Sequence, residues 1–177
     1  CTRLAGEEVG VIPPLPCKGS FPSIVIIDEL PPSLEIAPHT FKETVNEFIN
    51  YADIIKISDE ELSFITGYSN IEEAVNVLFR CNVKLIIYTC GKNGAYAITK
   101  KALAYNKGYC IENAVDTTGA GDGFIGSFLY QLESNNIINL EDLTKEKLEE
   151  MLKFSNKFHH LIIPLYGSEK IAIYVQE

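Results

Sequence analysis

Continuous apolar runs alternate along this chain with stretches of helical periodicity. Ile24, Val25, Ile26 and Ile27 follow Ser23 without a polar break and end at Asp28. An unbroken β-branched run of this length predicts a strand buried on both faces, over residues 23–28. Pro31 and Pro32 stop it. Phe41, Val45, Phe48 and Ile49 then recur at helical spacing behind Thr40, a candidate N-cap, and predict a helix over 40–51. The alternation repeats: a strand over 53–57, a short helix over 58–66 closed by Gly67, and a helix capped by Asn70 that carries Ile71, Ala74, Val75 and Leu78. A strand over 84–89 leads into the turn Gly91-Lys92-Asn93-Gly94, and strands over 95–99 and 102–105 form a hairpin-like section. A helix over 119–133 opens in glycines. Asp142 or Thr144 caps another, running through Leu148, Met151, Leu152 and Ser155 toward His159, and a last strand is predicted over 171–175. Pro13, Pro14, Pro16, Gly19 and Pro22 punctuate residues 1–22, where regular structure is not expected. Strands alternating with helices predict an α/β fold with a mostly parallel sheet. No internal repeat, low-complexity tract or interdomain linker interrupts it.

Composition narrows the function. A chain of 177 residues with 46% hydrophobic and 22% charged residues has ordinary globular character and can bury a core without disulfides. Its net charge of −9 has the wrong sign for a nucleic-acid partner held by phosphate contacts. An anionic small molecule would have to be held by local backbone donors or a metal. Cys1, Cys17, Cys81, Cys90 and Cys110 are odd in number and show no C-x-x-C spacing, which fits reduced thiols in the cytoplasm better than a disulfide framework. No apolar run approaches the length needed to cross a bilayer, so no membrane association is expected.

The segment richest in chemistry is Asp116-Thr-Thr118-Gly119-Ala120-Gly121-Asp122, which opens the predicted 119–133 helix. Small residues let the backbone N–H groups of Gly119, Ala120 and Gly121 turn toward one point, and with the helix N-terminus they make an anion hole. Asp122, in the first helical turn, would face the same cleft. A carboxylate there can take a proton from an attacking hydroxyl. An ordinary helix start with an acidic first turn is the plain alternative, but the full seven-residue run is far more specific than a bare Gly-x-Gly.

This run closely resembles the C-terminal signature of the ribokinase-like (pfkB) family of carbohydrate kinases. The resemblance implies ATP-dependent phosphorylation of a sugar hydroxyl on an α/β, ribokinase-like three-layer fold. It implies Asp122 as base, and Gly119, Ala120 and Gly121 as the anion hole for the transferring phosphoryl group. Asp116 and Thr118 match positions that bind an activating monovalent cation such as K+. Thr89-Cys90-Gly91-Lys92-Asn93-Gly94 resembles the family's nucleotide segment, although the same glycines suit a hairpin turn. Ser58-Asp-Glu-Glu61 resembles the family's Asn-x-x-Glu segment with Ser58 in place of Asn, which implies that Glu61 organises Mg2+ and phosphate through water. Ser58-x-x-Glu61 is equally a helix capping box, and both roles can hold together. Phe154-Ser-Asn156-Lys resembles a helix whose Asn lies near adenine, and Tyr166-Gly-Ser168 resembles the family's closing loop. The adjacent His159 and His160 do not face one another on a helix and read as surface residues.

The likeness is strongest from Phe41 to Gln176 and weaker over 23–34, where Asp28-Glu-Leu-Pro-Pro-Ser departs from the family pattern. Residues 1–22 match nothing in the family. The Gly-Gly signature, lid and most sugar-binding residues of a full member are not recognisable. The expectation is therefore an unplaced Pro-rich segment over 1–22, and over 23–177 the C-terminal, nucleotide-binding part of a ribokinase-like domain whose N-terminal half is missing. Such a part would leave a strand edge and an apolar surface uncovered. Three readings stay open: a sugar kinase nearest to fructokinases, with nucleotide and a small sugar as ligands; a non-catalytic remnant that binds nucleotide or a protein; and half of a split kinase that needs a complementary chain. The macromolecular partner expected is a complementary N-terminal half or a second copy in a homo-oligomer. The Lys56-x-Ser58-x-x-Glu61 variant and the Tyr166-Gly-Ser168 ending favour fructose as the sugar.

Overall fold

The computed structural model describes residues 9–11, 22–27, 38–79, 81–108 and 120–166. Each predicted element within these residues forms, for local reasons visible in the chain. Strand β2 (Ile24–Ile27) is followed by helix α1 (Pro38–Ile49), strand β3 (Ile54–Ser58) and helix α2 (Asp59–Thr66). Ser58 caps α2 and Gly67 ends it with φ +78°, the left-handed conformation that glycine adopts without a Cβ penalty. Asn70 Oδ1 accepts the Glu72 N–H at 2.8 Å and so starts helix α3 (Ile71–Leu78). Strand β4 (Leu85–Thr89), a single 3-10 turn (Gly91–Asn93) and strands β5 (Ala95–Ile98) and β6 (Leu103–Asn106) come next. Helix α4 (Ala120–Ser134) begins in the small-residue run, and helix α5 (Lys145–Tyr166) starts where Thr144 Oγ1 accepts the Lys147 N–H at 3.3 Å.

The strands, of which β1 (Val9–Val11) comes first, lie in one sheet in the order β1-β2-β3-β4-β5-β6. The pairs β2–β3 and β3–β4 are parallel, so the middle of the sheet has the expected parallel character, while β4–β5 and β5–β6 are antiparallel. Alternation along β3 separates two cores. Ile55 and Ile57 pack with Val45 and Ile49 of α1, Leu62 and Ile65 of α2, and Ala74 and Leu78 of α3. Ile54 faces the opposite way, with Phe124, Phe128 and Leu132 of α4 and Leu148, Met151 and Leu152 of α5. The result is a three-layer α/β/α arrangement in which the parallel strands are covered on both faces.

Two features differ from the expectation. Val9–Val11, within the segment expected to be irregular, forms strand β1 and pairs antiparallel with β2 through Val9↔Ile27 and Val11↔Val25. Strand β2 is thus paired on both sides, and β1 takes the edge of the sheet; the donor–acceptor row on a strand edge can be satisfied by an extended segment that reaches it. Helix α5 also continues beyond His159 and through Pro164 to Tyr166. A proline so near a helix end removes only one late hydrogen bond. The strand predicted over 171–175, Gly119, Thr118, Asp116 and the Tyr166-Gly-Ser168 ending after Tyr166 lie outside the described residues.

Candidate active site

The candidate segments among the described residues meet at one edge of the sheet, the carboxyl ends of β3 and β4. Register aligns Ser58 of β3 with Thr89 of β4, Thr89 with Ala95 of β5, and Ala95 with Asn106 of β6. This single row carries the Ser58–Glu61 segment and the start of the Thr89–Gly94 segment side by side. The carboxyl edge of parallel strands is where open α/β sheets place their ligands, because loops and helix N-termini converge there.

At the β3 end, the capping box is complete. The Ser58 N–H donates to Glu61 Oε2 at 2.7 Å, and the Glu61 N–H donates to Ser58 Oγ at 3.3 Å. Glu61 is only 4% exposed, the one buried carboxylate among the described residues. Its Oε2 also lies 3.9 Å from Lys56 Nζ, and Lys56 is itself 5% exposed. Lys56 shares the sheet face of Ile54, the face toward α4. A Cβ built on Gly121 would lie 3.7 Å from Lys56 Nζ. Lys56 therefore ties the β3–α2 segment to the opening turn of α4, where Ala120, Gly121 and Asp122 lie. Asp122 is exposed and stands in that first turn, where the helix dipole favours a carboxylate.

At the β4 end, the turn is fixed by its backbone. The Cys90 N–H donates to Gly94 O at 2.8 Å, the Asn93 N–H to Cys90 O at 2.9 Å and the Gly94 N–H to Gly91 O at 3.1 Å. Gly94 has φ +100°, and a Cβ there would fall 2.2 Å from Asn106 O and 2.6 Å from Gly108 N. Only glycine lets this turn press against the end of β6. The Tyr105 hydroxyl donates to Asn93 O at 2.7 Å from the neighbouring strand. Gly91 and Lys92 are exposed on the turn. Asn156 of α5 is buried, and its Nδ2 donates to Asn106 Oδ1 at 2.9 Å and to Asn106 O at 3.3 Å. Asn156 thus stands at the end of the same row.

Cys90 sits in the turn as a thiol that is less readily ionised than a free one. Burial pushes its thiol pKa up, and the Asp59 charge adds to this against the opposing effect of a Tyr88 hydrogen bond. A raised thiol pKa lowers the thiolate fraction and with it the reactivity.

Sequence reasoning left two of these residues without a role. Lys56 carried one faint signal, a lone cation inside the run Ile54-Ile55-Lys56-Ile57, where burial of a charge needs a reason. Asn106 carried none, since its partner lies 50 positions away.

A family model for pfkB family carbohydrate kinases matches residues 24–169, most of the chain. This chain belongs to the pfkB carbohydrate kinase family. Its relatives include a probable fructokinase-5 from Arabidopsis thaliana, 43% identical over 126 residues, which cover 71% of this chain and 36% of the relative. A solved fructokinase from Vibrio cholerae O395, in a form with fructose, ADP and calcium ion bound, superposes with a TM-score of 0.64 at 29% identity, over 76% of this chain and 42% of that one. A putative ribokinase II from E. coli gives 0.67 over 83% of this chain and 44% of that one, at 20% identity, which shows the ribokinase-like fold alone. This pfkB chain spans about a third of the length of the curated relatives it matches. Among the described residues, no helix is long and apolar enough to cross a membrane.

The donor set at this edge suits a pfkB site. It offers the N-terminus of α4, a buried cation and a glycine turn with exposed backbone. For a divalent ion it offers one buried carboxylate, Glu61, which fits Mg2+, an ion that keeps most of its water.

Proposed function

We propose that this chain supplies the nucleotide-binding and phosphoryl-transfer machinery of an ATP-dependent sugar kinase, with fructose as the sugar. The observation that carries the reading is the convergence at one sheet edge: Ser58 and Thr89 adjacent in register, and the start of α4 brought to them through Lys56. The similarity to fructokinases supports fructose.

In this reading the turn Gly91–Asn93, with Thr89 and Gly94, receives the nucleotide, Lys92 lies beside its phosphates, and Asn156 holds the adenine side of the site. Backbone N–H groups of Gly119, Ala120 and Gly121 aim at the oxygens of the γ-phosphoryl group. Asp122 accepts the proton of the sugar hydroxyl as its oxygen bonds to the γ-phosphorus, and the bond from that phosphorus to the bridging oxygen breaks to leave ADP. Mg2+ held by Glu61 through water would neutralise phosphate charge. Asp116 and Thr118 would hold the K+-type cation. Such catalysis is chiefly positioning and charge stabilisation, so rigid backbone donors matter more than side-chain reactivity.

The test is fructose phosphorylation by the Asp122→Asn chain against the parent, each assayed alone and with an N-terminal half of a fructokinase relative supplied. Asn keeps the size and the helix start, so folding and nucleotide affinity should persist while turnover falls about 10²–10⁴-fold. Near-normal turnover in the variant would remove Asp122 from its role. In a second reading the chain binds nucleotide but turns over only with a complementary chain. Activity with the supplied half and none without it would select that reading.

A further inference from the structure

The turn after β4 holds a permissive residue in a fixed shape. Gly94, at φ +100°, has no side chain to limit its backbone, so the peptide that precedes it can rotate unless something holds it. Both groups of that Asn93–Gly94 peptide are engaged. Its N–H donates to Gly91 O at 3.1 Å, inside the turn. Its carbonyl accepts the Tyr105 hydroxyl at 2.7 Å, from strand β6. The second bond ties the peptide to the sheet.

Tyr105 is itself held by its neighbours. Register places Tyr88 of β4 opposite Tyr96 of β5, and Tyr96 opposite Tyr105 of β6. The three form one row across the strands, next to the row of Thr89, Ala95 and Asn106 at the carboxyl edge. Ring centroids lie 4.7 Å apart for Tyr96 and Tyr105 and 5.8 Å apart for Tyr88 and Tyr96, separations at which aromatic pairs attract. At the buried end of the row Tyr88 hydrogen-bonds the Cys90 thiol, where the turn begins. The row therefore meets the turn at both ends, Cys90 and Asn93. Tyr105 is 42% exposed, so water could replace its bond at little cost in stability. What the bond does fix is where the peptide points.

We propose that Tyr105 is a positioning residue of the nucleotide site, whose hydroxyl holds the Asn93–Gly94 peptide in the orientation that receives the nucleotide. The proposal rests on the kinase reading above, which puts the nucleotide on this turn, and deepens it. Tyr105 acts through the turn: the stacked row sets the ring, the ring sets the hydroxyl, and the hydroxyl sets the peptide.

The test is Tyr105→Phe in the whole chain, which keeps the ring and its packing on Tyr96 and removes only the hydroxyl. Calorimetry should show MgADP bound about 2–10-fold more weakly than by the parent, the size of one neutral hydrogen bond. Melting temperature should stay within about 2 °C, as for an exposed substitution. In the ligand-free chain, amide hydrogen exchange at Gly94 should quicken while that of Ile87, in the middle of β4, keeps the parent's rate. Leu103→Ala, elsewhere on β6, is the control and should leave MgADP affinity unchanged. Unchanged affinity in Tyr105→Phe overturns the assignment and leaves the kinase reading standing. So does a loss that Leu103→Ala matches, which would come from the strand as a whole, or a loss with Gly94 exchange unaltered, which would not pass through the peptide. A parent that binds no MgADP at millimolar concentration overturns the kinase reading, and this assignment with it.

Discussion

The two faces of the sheet are built differently. The face under α1, α2 and α3 is closed by Val45, Ile49, Ile55, Ile57, Leu62 and Ala74, and Tyr88 is the one buried side chain of that cluster with a hydrogen-bonding group. The face under α4 and α5 has an equally dry centre in Phe128, Leu132, Leu148 and Met151, yet buried polar groups run through it. Gln131 Nε2 donates to Met151 O at 3.1 Å and to Ser155 Oγ at 3.3 Å, joining α4 to α5. Asn156 bonds Asn106, and Lys56 reaches the start of α4. Ser127 and Gln131 lie on α4 and Lys56 lies against its start, while Asn156 fastens α5 to β6. The difference teaches that one layer packs chiefly by apolar contact, while the other adds directional bonds that join α4 to α5 and α5 to β6.

The largest expected effect tests whether both faces are true cores. Phe128→Ala on the α4 face should cost about 3–5 kcal/mol and Ile86→Ala on the α1–α3 face about 2–5 kcal/mol, read by urea unfolding. A loss well under that for Phe128 alone would mean that the polar face is loosely packed, and the contrast drawn above would fail. Next in size is the brace between α4 and α5. Gln131→Leu should lower stability by about 1 kcal/mol, the net worth of its bonds to Met151 and Ser155, and should weaken nucleotide binding more than an equally destabilising change on the opposite face. Equal losses of binding from both faces would show that the bonds stabilise α4 without positioning it.

The smallest effect, absent at neutral pH, belongs to the apolar face. Burial raises the pKa of Tyr88, helped by a hydrogen bond to Cys90, and burial raises that of Cys90. In the folded chain both groups hold their protons to higher pH than in the unfolded chain. Their contribution is therefore complete below the unfolded values, about 8.5 for Cys and 10 for Tyr, and is lost as pH rises through the folded ones. Melting temperature should fall with pH above about 9, and less steeply in a Tyr88→Phe, Cys90→Ser chain. A fall of the same slope in that chain would trace alkaline sensitivity to other groups.

Local chemistry was legible in the chain wherever partners are near in sequence. The Ser58–Glu61 capping box, Gly67 as a helix end, the Asn70 cap and the glycine turn after β4 all formed as read, because each depends on backbone geometry within a few residues. The run Asp116–Asp122 carried the family resemblance that the match over 24–169 bears out. The turn itself hid its constraint. Gly94 reads as ordinary turn glycine, and only the approach of Asn106 and Gly108 shows that no side chain can stand there.

The sequence by itself therefore determined the order of elements, their caps, the alternation that separates the two cores, and the family. These follow from periodicity and short-range hydrogen bonding, which any window of the chain contains. Only the tertiary structure decided that Val9–Val11 pairs with β2, that Asn156 clamps Asn106, and that Lys56 lies against Gly121. Each of those joins segments far apart in the chain. A lysine in a buried strand is locally a defect, and its meaning comes from the helix that packs over it, since an electrostatic contact depends on distance in space and leaves no period in the sequence.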